Sequence, residues 1–191
     1  MNITHLPNAI TVTRLFLVPV LILALREGDY QAALLIFLVA GISDALDGYI
    51  AKRFDAVTHL GAVLDPLADK LLLVSAYVVL TIIGHIPFWL MLTVAFRDLL
   101  IVGGYLAVTS VMGAVHMRPS YLSKFNTLMQ IILIIAILSQ HAGLYYISEV
   151  SQILIYLVFL TTVASGAHYL WLWIIRKDIE PVTQGEKNDN K

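Results

Sequence analysis

Apolar stretches separated by short polar breaks make up most of this 191-residue chain. A helix that crosses a bilayer needs about 20 mostly apolar residues. Six stretches are of about this length or longer, at residues 8–25, 30–51, 59–84, 87–112, 121–140 and 147–175. We therefore predict an all-α integral membrane protein with six transmembrane helices in one bundle. The predicted membrane domain covers residues 1–176, and residues 177–191 form a polar C-terminal tail.

The overall composition supports a membrane protein and excludes several other classes. Hydrophobic residues make up 59% of the chain and charged residues 13%, whereas soluble domains average about 45–50% and about 25%. A net charge of −1 gives no large positive field for nucleic acid. Cysteine is absent, which rules out disulfides and cysteine metal sites. No basic cluster or small-residue cleavage site marks the first apolar stretch as a signal peptide, so we expect it to be retained.

Lysine and arginine are unevenly divided between the two sides of the predicted bundle. With six spans, both termini and the loops after the second and fourth spans share one side. That side carries Lys52, Arg53, Arg118, Arg176 and Lys177, with Lys124 just inside the fifth span. The other side carries only Arg26. Because short cytoplasmic loops are enriched in lysine and arginine, both termini are predicted to be cytoplasmic.

Four aspartates interrupt the second and third apolar stretches: Asp44, Asp47, Asp65 and Asp69. An acidic residue within a span costs a few kcal/mol and usually faces a bundle interior or a wet cavity. Residues three or four positions apart share one face of a helix, so each pair presents both carboxylates together. Both pairs lie near the same end of neighbouring antiparallel spans. The spacing therefore predicts that the four carboxylates converge in a polar cavity that faces the cytoplasm.

Four converging carboxylates repel one another unless cations neutralise them. Oxygen ligands of this kind suit Mg²⁺, Mn²⁺ or Ca²⁺ and not zinc. The cluster could hold two ions about 3.5–4 Å apart, as in enzymes that displace phosphoryl groups. Gly48 and Gly61 accompany the aspartates and would let a ligand approach the backbone, although small residues also serve helix packing in membranes. The six histidines show no paired ligand spacing.

The run DALDGYIAKRFDAVTHLGAVLDPLAD at residues 44–69 fits the pattern D-x2-D-G-x2-A-R-x8-G-x3-D-x3-D. This pattern is the signature of the CDP-alcohol phosphatidyltransferases, and the N-terminal LPNAITVTR segment resembles the same family. One anchor differs, because Lys52 stands where the pattern has arginine, with Arg53 following it. The resemblance implies transfer of a phosphatidyl group from CDP-diacylglycerol to an alcohol, with release of CMP. It also implies a homodimer in a bacterial or mitochondrial inner membrane.

The resemblance also assigns roles to residues of this chain. The four aspartates would bind two divalent cations, Mg²⁺ or Mn²⁺, and Asp69 would also act as the general base that takes the proton of the acceptor hydroxyl. The positions that would contact the CDP-lipid are Asn8, Thr11, Gly48, Ala51, Lys52, Thr58 and Gly61. Lysine keeps a cation at the arginine position but lacks the bidentate geometry of a guanidinium, so Arg53 is an alternative to Lys52 for this role.

Three basic residues are candidates for binding the acceptor: Arg97, Lys124 and Arg118. Arg97 lies in mid-span, where an unpaired arginine is costly. Its other interpretation is an internal ion pair, but adjacent Asp98 should face a different direction. Lys124 is alternatively a surface lysine that reaches toward the headgroups, and Arg118 a loop charge near lipid phosphates.

The choice of acceptor rests on the runs AFRDLLIVGGY and RPSYLSKFNTLMQ, which look most like eukaryotic-type cardiolipin synthases. This resemblance favours phosphatidylglycerol as the acceptor, giving cardiolipin. Glycerol 3-phosphate is the alternative; phosphatidylglycerophosphate synthases usually carry a second arginine where this chain has Tyr105. An ion or proton transporter is the rival from another class, but its acids would be spread across the bilayer depth. No internal repeat of the kind found in many transporters is evident.

Overall fold

The computed structural model describes residues 6–54, 59–112, 120–144 and 148–175. These ranges contain six α-helices and no β-strand. The helices are α1 (Leu6–Glu27), α2 (Tyr30–Phe54), α3 (His59–Ile82), α4 (Phe88–Met112), α5 (Tyr121–His141) and α6 (Ser148–Ile175). The all-helical fold and the positions of its six elements therefore agree with the prediction. Over residues 44–54 and 59–69, the description is limited to the helical backbone.

Two of the helices are long and apolar enough, over their described residues, to cross a membrane. These segments are Tyr121–His141 in α5 and Glu149–Trp171 in α6. Shorter apolar stretches, Tyr30–Ser43 and Lys70–Ile82, occur in α2 and α3, beside the aspartate-bearing halves of those helices. Many large apolar side chains are exposed on the helix surfaces, including Phe16 and Phe96. The count of six spans stays a prediction.

The helices pack into one bundle around a leucine- and isoleucine-rich core. Helix α1 packs extensively against both α2 and α3, and α5 packs against α6. Leu21, Leu80, Leu90, Leu133 and Leu138 are fully buried in this core. Helix α3 makes far less contact with α4, although the two are consecutive. A cavity lies beside this contact and is lined by residues of α3, α4 and α5.

The odd-numbered helices α1, α3 and α5 all end at the same end of the bundle, and each stops at a glycine in the left-handed region. Gly28 has φ 77° and Gly84 has φ 86°. The amide that follows each glycine donates to a carbonyl five residues earlier, as in Asp29 N to Ala24 O at 2.9 Å. Helix α5 ends in the same way at Gly143. These bonds satisfy carbonyls that a helix C-terminus otherwise leaves unpaired.

A cluster of three aromatic side chains joins helices at this capped end. The hydroxyl of Tyr30 lies 2.7 Å from Nε2 of His85, and the rings of His85 and His141 are 3.7 Å apart between centroids. The cluster connects α2, the α3–α4 turn and α5. Partial burial, together with the nearby His141, lowers the pKa of His85 below its usual value. His85 and His141, which are far apart in the sequence, are therefore in contact in the folded protein.

Candidate functional site

The predicted aspartates lie on two helices that touch each other. Asp44 and Asp47 are in α2, and Asp65 and Asp69 are in α3. Helices α2 and α3 are in contact, and α1 packs against both. At 1.5 Å per residue, Asp65 and Asp69 lie about 9 and 15 Å from the start of α3, and Asp47 and Asp44 lie about 10 and 15 Å from the end of α2. The four backbone positions therefore share one depth in the bundle, at the end opposite the glycine caps.

An all-carboxylate set of this kind fits a hard divalent cation. Four aspartates offer only oxygen ligands and no competing soft donor, which is the chemistry that Mg²⁺ and Mn²⁺ prefer. Among the side chains that the structure describes, no group of three or more histidine, aspartate or glutamate residues could hold a metal ion. The metal site at the four aspartates stays a prediction that rests on their donor chemistry.

Arg14 is a buried cation that the sequence analysis did not single out. It lies on α1 and is only 1% exposed. Eight residues separate it from the start of α1, which corresponds to about 12 Å along the helix axis. Since α1 packs against both aspartate-bearing helices, Arg14 occupies the same depth as the four aspartates. The signal that could have found it is the one that found Arg97, a charge inside an apolar stretch.

Arg97 is held at the centre of a polar network that joins α4, α5 and α6. It is 5% exposed. Its Nη2 donates to Ser165 Oγ at 2.8 Å and to Ser123 Oγ, and its Nε also donates to Ser165 Oγ, at 3.3 Å. Its Nη1 donates to Asp98 Oδ1 at 2.9 Å. The guanidinium therefore has protein partners on three helices.

The expectation that Asp98 faces away from Arg97 is wrong. Both side chains belong to successive positions of α4, but a guanidinium on a long flexible stem reaches around the helix to its neighbour, as the Arg97–Asp98 ion pair demonstrates. Asp98 also forms an ion pair with Lys70 of α3. Asp98 thus lies between two cations, and Lys70, which follows Asp69 directly, joins the candidate site. The ion-pair interpretation of Arg97 has direct structural support.

The remaining predicted acceptor residues are placed less centrally. The Lys124 side chain is exposed, and its ammonium lies 5.8 Å from the centroid of the Tyr121 ring. This geometry suits a lysine at the bundle surface. Arg118 and, among the predicted CDP-lipid contacts, Thr58 lie outside the described residues.

The other predicted CDP-lipid contacts occupy helical backbone positions on three helices. Asn8 and Thr11 are in the first two turns of α1, at the same end of the bundle as the aspartates. Helix α2 contains Gly48, Ala51 and Lys52 after Asp47, and α3 contains Gly61 before Asp65. The fold therefore brings these segments to one end of the bundle.

A stripe of polar residues runs down α5 and faces the bundle. Ser123 meets Arg97, and the Oδ1 of fully buried Asn126 accepts hydrogen bonds from Thr161 and Thr162 of α6 at 2.8 and 2.9 Å. Gln130, one turn further, is 3% exposed. Interhelical hydrogen bonds of this kind are typical of membrane bundles. The stripe positions α5 and α6 around the Arg97 network.

A cavity of about 210 Å³ opens between α3, α4 and α5 beside this network. Lys70 and Asp98 line one end of it, next to the position of Asp69. Its walls are mostly apolar, with Tyr77 and Gln130 among the lining residues. The cavity therefore lies against α3, the helix that contains Asp65 and Asp69, and extends between α3 and α4.

Comparison with known proteins places this arrangement in a family. The chain is 36% identical over 184 residues to a cardiolipin synthase (CMP-forming) / mitochondrial hydrolase fusion protein of Schizosaccharomyces pombe, covering 88% of this chain and 31% of that protein. It is 34% identical over 180 residues to the cardiolipin synthase (CMP-forming) of Homo sapiens, covering 86% of this chain and 60% of that protein. The chain thus spans about three fifths or less of the length of these cardiolipin synthase relatives.

A bacterial relative matches over nearly its whole length. The chain is 32% identical over 175 residues to the CDP-diacylglycerol–glycerol-3-phosphate 3-phosphatidyltransferase of Rickettsia felis, covering 86% of this chain and 93% of that protein. The profile of the CDP-alcohol phosphatidyltransferases matches residues 4–164, which include both aspartate pairs. Members of that family are membrane-associated and generally depend on divalent cations. The chain therefore belongs to the CDP-alcohol phosphatidyltransferase family.

Proposed function

We propose that this chain transfers the phosphatidyl group of CDP-diacylglycerol to a hydroxyl of phosphatidylglycerol, forming cardiolipin and releasing CMP. The observation that carries the proposal is the complete aspartate signature, whose two halves lie at one depth on the touching helices α2 and α3. Family membership and the similarity to cardiolipin synthases support it.

The reaction is a displacement at the phosphatidyl phosphorus. The acceptor hydroxyl oxygen forms a new bond to this phosphorus, the bond to the bridging oxygen breaks, and CMP leaves with that oxygen. In this proposal Asp69 takes the hydroxyl proton, as a carboxylate within hydrogen-bond reach can. Asp44, Asp47, Asp65 and Asp69 would hold two divalent cations, Mg²⁺ or Mn²⁺, whose charge neutralises the donor pyrophosphate and makes its phosphorus more electrophilic.

The donor half of the site would be built from α1, α2 and the start of α3. We propose the predicted positions as its CDP-lipid contacts: Asn8, Thr11, Gly48, Ala51, Lys52, Thr58 and Gly61. Arg14 extends this set, because a buried guanidinium at the depth of the aspartates adds positive charge where the pyrophosphate would bind.

The acceptor half would lie on the α3–α4 side. Lys70 is the cation best placed to meet an acceptor phosphate, since it follows Asp69, remains 47% exposed and lines the mouth of the cavity. Arg97 would act there mainly by fixing Asp98 and Ser123, because its guanidinium already donates to both. Lys124, near the start of α5, would attract an anionic headgroup, and Arg118 remains in the proposal on its charge alone.

The proposed membrane arrangement follows from the distribution of charge and from the family. All six helices would span the bilayer, with both termini and the polar cavity on the cytoplasmic side, in a membrane of the bacterial or mitochondrial inner type. Water-soluble CMP could then leave directly into the cytoplasm or matrix. Two copies of the chain would associate as a homodimer.

Two alternatives differ in substrate or in class. Glycerol 3-phosphate as the acceptor is favoured by the similarity to the bacterial glycerol-3-phosphate phosphatidyltransferases, which match over about 93% of their length. An ion or proton transporter is disfavoured by family membership and by the grouping of the four aspartates at one depth.

The proposal is tested with purified protein in mixed micelles that contain labelled CDP-diacylglycerol and Mg²⁺ or Mn²⁺. CMP release should require the divalent cation and phosphatidylglycerol. Asp69→Asn should lower turnover at least about 100-fold, because loss of a general base typically costs this much, while CDP-lipid binding is retained. The matched control is Asp29→Asn at the opposite end, where the side chain accepts from Ala32 N at 3.0 Å.

Three results would contradict parts of this scheme. Turnover of glycerol 3-phosphate but not of phosphatidylglycerol would replace the acceptor. Absence of CMP release with any alcohol would remove the activity. Retained turnover in Asp69→Asn would remove the proposed base.

A further inference from the structure

The cavity between α3, α4 and α5 has a charged end and an apolar body. Its α3 wall is one helical stripe that includes Lys70, Tyr77 and Val78, and its α4 wall includes Asp98 and Met91. Because α3 and α4 are antiparallel, the Lys70–Asp98 ion pair lies at one end, and Val78 and Met91 lie toward the other. The charged end is the one beside Asp69.

Two polar side chains in this apolar body each have a buried donor atom without a hydrogen-bond partner among the described residues. Tyr77 is 2% exposed and Gln130 is 3% exposed, and both line the cavity. Within the described part of the chain, neither Tyr77 Oη nor Gln130 Nε2 has a hydrogen-bond partner. A buried polar group without a partner costs about 1–3 kcal/mol, so an unpaired donor of this kind calls for an explanation.

Both atoms can donate a hydrogen bond, from a phenol and from an amide NH₂. Their natural complement is a group that only accepts. A phospholipid ester is such a group, because its carbonyl oxygens accept hydrogen bonds and it has no donor of its own. The apolar side chains around it suit the first methylenes of an acyl chain.

The spacing of Lys70 and Tyr77 along α3 is close to the length of a phosphatidylglycerol headgroup. Seven residues separate Lys70 from Tyr77, which places Tyr77 about 10 Å further along the axis of α3. In phosphatidylglycerol, the head glycerol and the phosphate separate the terminal hydroxyl from the nearest ester oxygen. This separation is about 11 Å for an extended chain with ordinary bond lengths. A hydroxyl beside Asp69 therefore puts the ester level with Tyr77 and Gln130.

We propose that this cavity binds the ester-linked glycerol backbone of the acceptor phospholipid, with Tyr77 and Gln130 donating to an ester carbonyl. This proposal rests on the proposed function, and it makes the cavity the feature that selects a diacylated acceptor over glycerol 3-phosphate. Glycerol 3-phosphate carries no acyl ester, so it offers the two donors no ester carbonyl.

The test uses Tyr77→Phe, Gln130→Leu and the double variant of the full chain in mixed micelles. Each single variant should raise KM for phosphatidylglycerol roughly 3- to 10-fold, as expected for loss of one hydrogen bond. KM for CDP-diacylglycerol should stay within about 2-fold of wild type, because a donor lipid that does not contact these side chains loses no hydrogen bond. The loss of one hydrogen bond would change KM by more than this. Deacylated phosphatidylglycerol, which lacks the esters, should be used equally by wild type and variants.

The matched controls are Tyr156→Phe and Gln152→Leu on the exposed surface of α6. They remove the same groups away from the cavity and should leave both KM values unchanged. Thermal unfolding of Tyr77→Phe should occur at or above the wild-type temperature, because the substitution removes a donor without a partner from an apolar cavity. This measurement separates loss of lipid binding from loss of folding.

The outcomes distinguish this inference from the proposed function. Wild-type protein that does not turn over phosphatidylglycerol contradicts the proposed function. Wild-type protein that does so, while Tyr77→Phe and Gln130→Leu keep its KM, overturns only the cavity assignment and leaves ordered water as the occupant. A rise in the donor KM alone also overturns it, because the cavity would then hold CDP-diacylglycerol.

Discussion

Replacing Arg97 with methionine tests whether its network holds the bundle together. Methionine keeps much of the length and the apolar stem but removes every donor. The variant loses hydrogen bonds to Asp98, Ser123 and Ser165, which lie on α4, α5 and α6. Because two of these partners lie on other helices, the loss should loosen the packing of α4 against both α5 and α6.

The expected magnitude follows from the partners that remain. Removing one member of a buried ion pair costs about 3–5 kcal/mol when the other is left uncompensated. Asp98 keeps its ion pair with Lys70, which reduces this cost. Interhelical hydrogen bonds in membranes average about 0.6 kcal/mol each, with a maximum near 1.7. We therefore expect Arg97→Met to lower the free energy of unfolding by about 2–4 kcal/mol.

Thermal unfolding in detergent, followed by near-ultraviolet circular dichroism, measures this loss. A destabilisation of this size corresponds to a fall in Tm of about 10 °C in a chain of this length. Arg97→Lys retains the charge but cannot reach three partners in the same geometry. Its Tm should therefore lie between the Tm of the wild-type protein and that of Arg97→Met. The matched control is Arg26→Met at the exposed C-terminus of α1.

If Arg97→Met unfolded at the same Tm as the wild-type protein, this reasoning would be refuted. If KM for the acceptor rose at the same time, the guanidinium would contact the acceptor directly and not act through its neighbours.

Two further predictions concern the capped end of the bundle. The pKa of His85 is lower in the folded protein than in the unfolded chain, so the unfolded chain takes up a proton at higher pH. The neutral His85 therefore contributes to stability above about pH 6.5. This contribution is lost as the pH falls through the pKa of the folded state. Tm should therefore fall between pH 7.5 and pH 5.5, and His85→Gln should reduce that fall; an unchanged pH dependence in the variant would contradict the assignment. Gly84→Ala should lower stability by about 1–2 kcal/mol through strain at φ 86°, since a Cβ there meets nothing within 4 Å. Gly103→Ala, in a helical and equally open position, should be neutral or stabilising, and equal effects at the two glycines would exclude backbone strain as the cause.

The sequence was sufficient to predict the helices. Apolar length located all six helices because each one is bounded by polar or glycine-containing breaks. Helical spacing of three and four predicts that Asp44 shares a face with Asp47, and Asp65 with Asp69, and this stays a prediction. Both features depend on neighbours in the chain, so a one-dimensional pattern contains them.

Features that depend on three-dimensional packing escaped prediction. The Arg97–Asp98 ion pair was the less favoured interpretation from sequence, because spacing rules describe where a side chain begins, and a long guanidinium stem ends elsewhere. No sequence pattern distinguishes Tyr77 and Gln130 from other residues of apolar helices. They line a cavity only because α3, α4 and α5 pack around it. The meeting of His85 with His141 depends on turns far apart in the chain.

The glycine caps and the Tyr30–His85–His141 cluster have a mechanical consequence. They fasten the helices at one end of the bundle, so a relative tilt of α3 and α4 pivots at the short turn between them. Helix α3 is 24 residues long, or about 36 Å. A tilt of about 5° then moves its far end by roughly 3 Å over that length and hardly moves the fastened end. The movement is therefore largest at the start of α3 near His59 and is about half as large at Asp69, which lies about 20 Å from the fastened end.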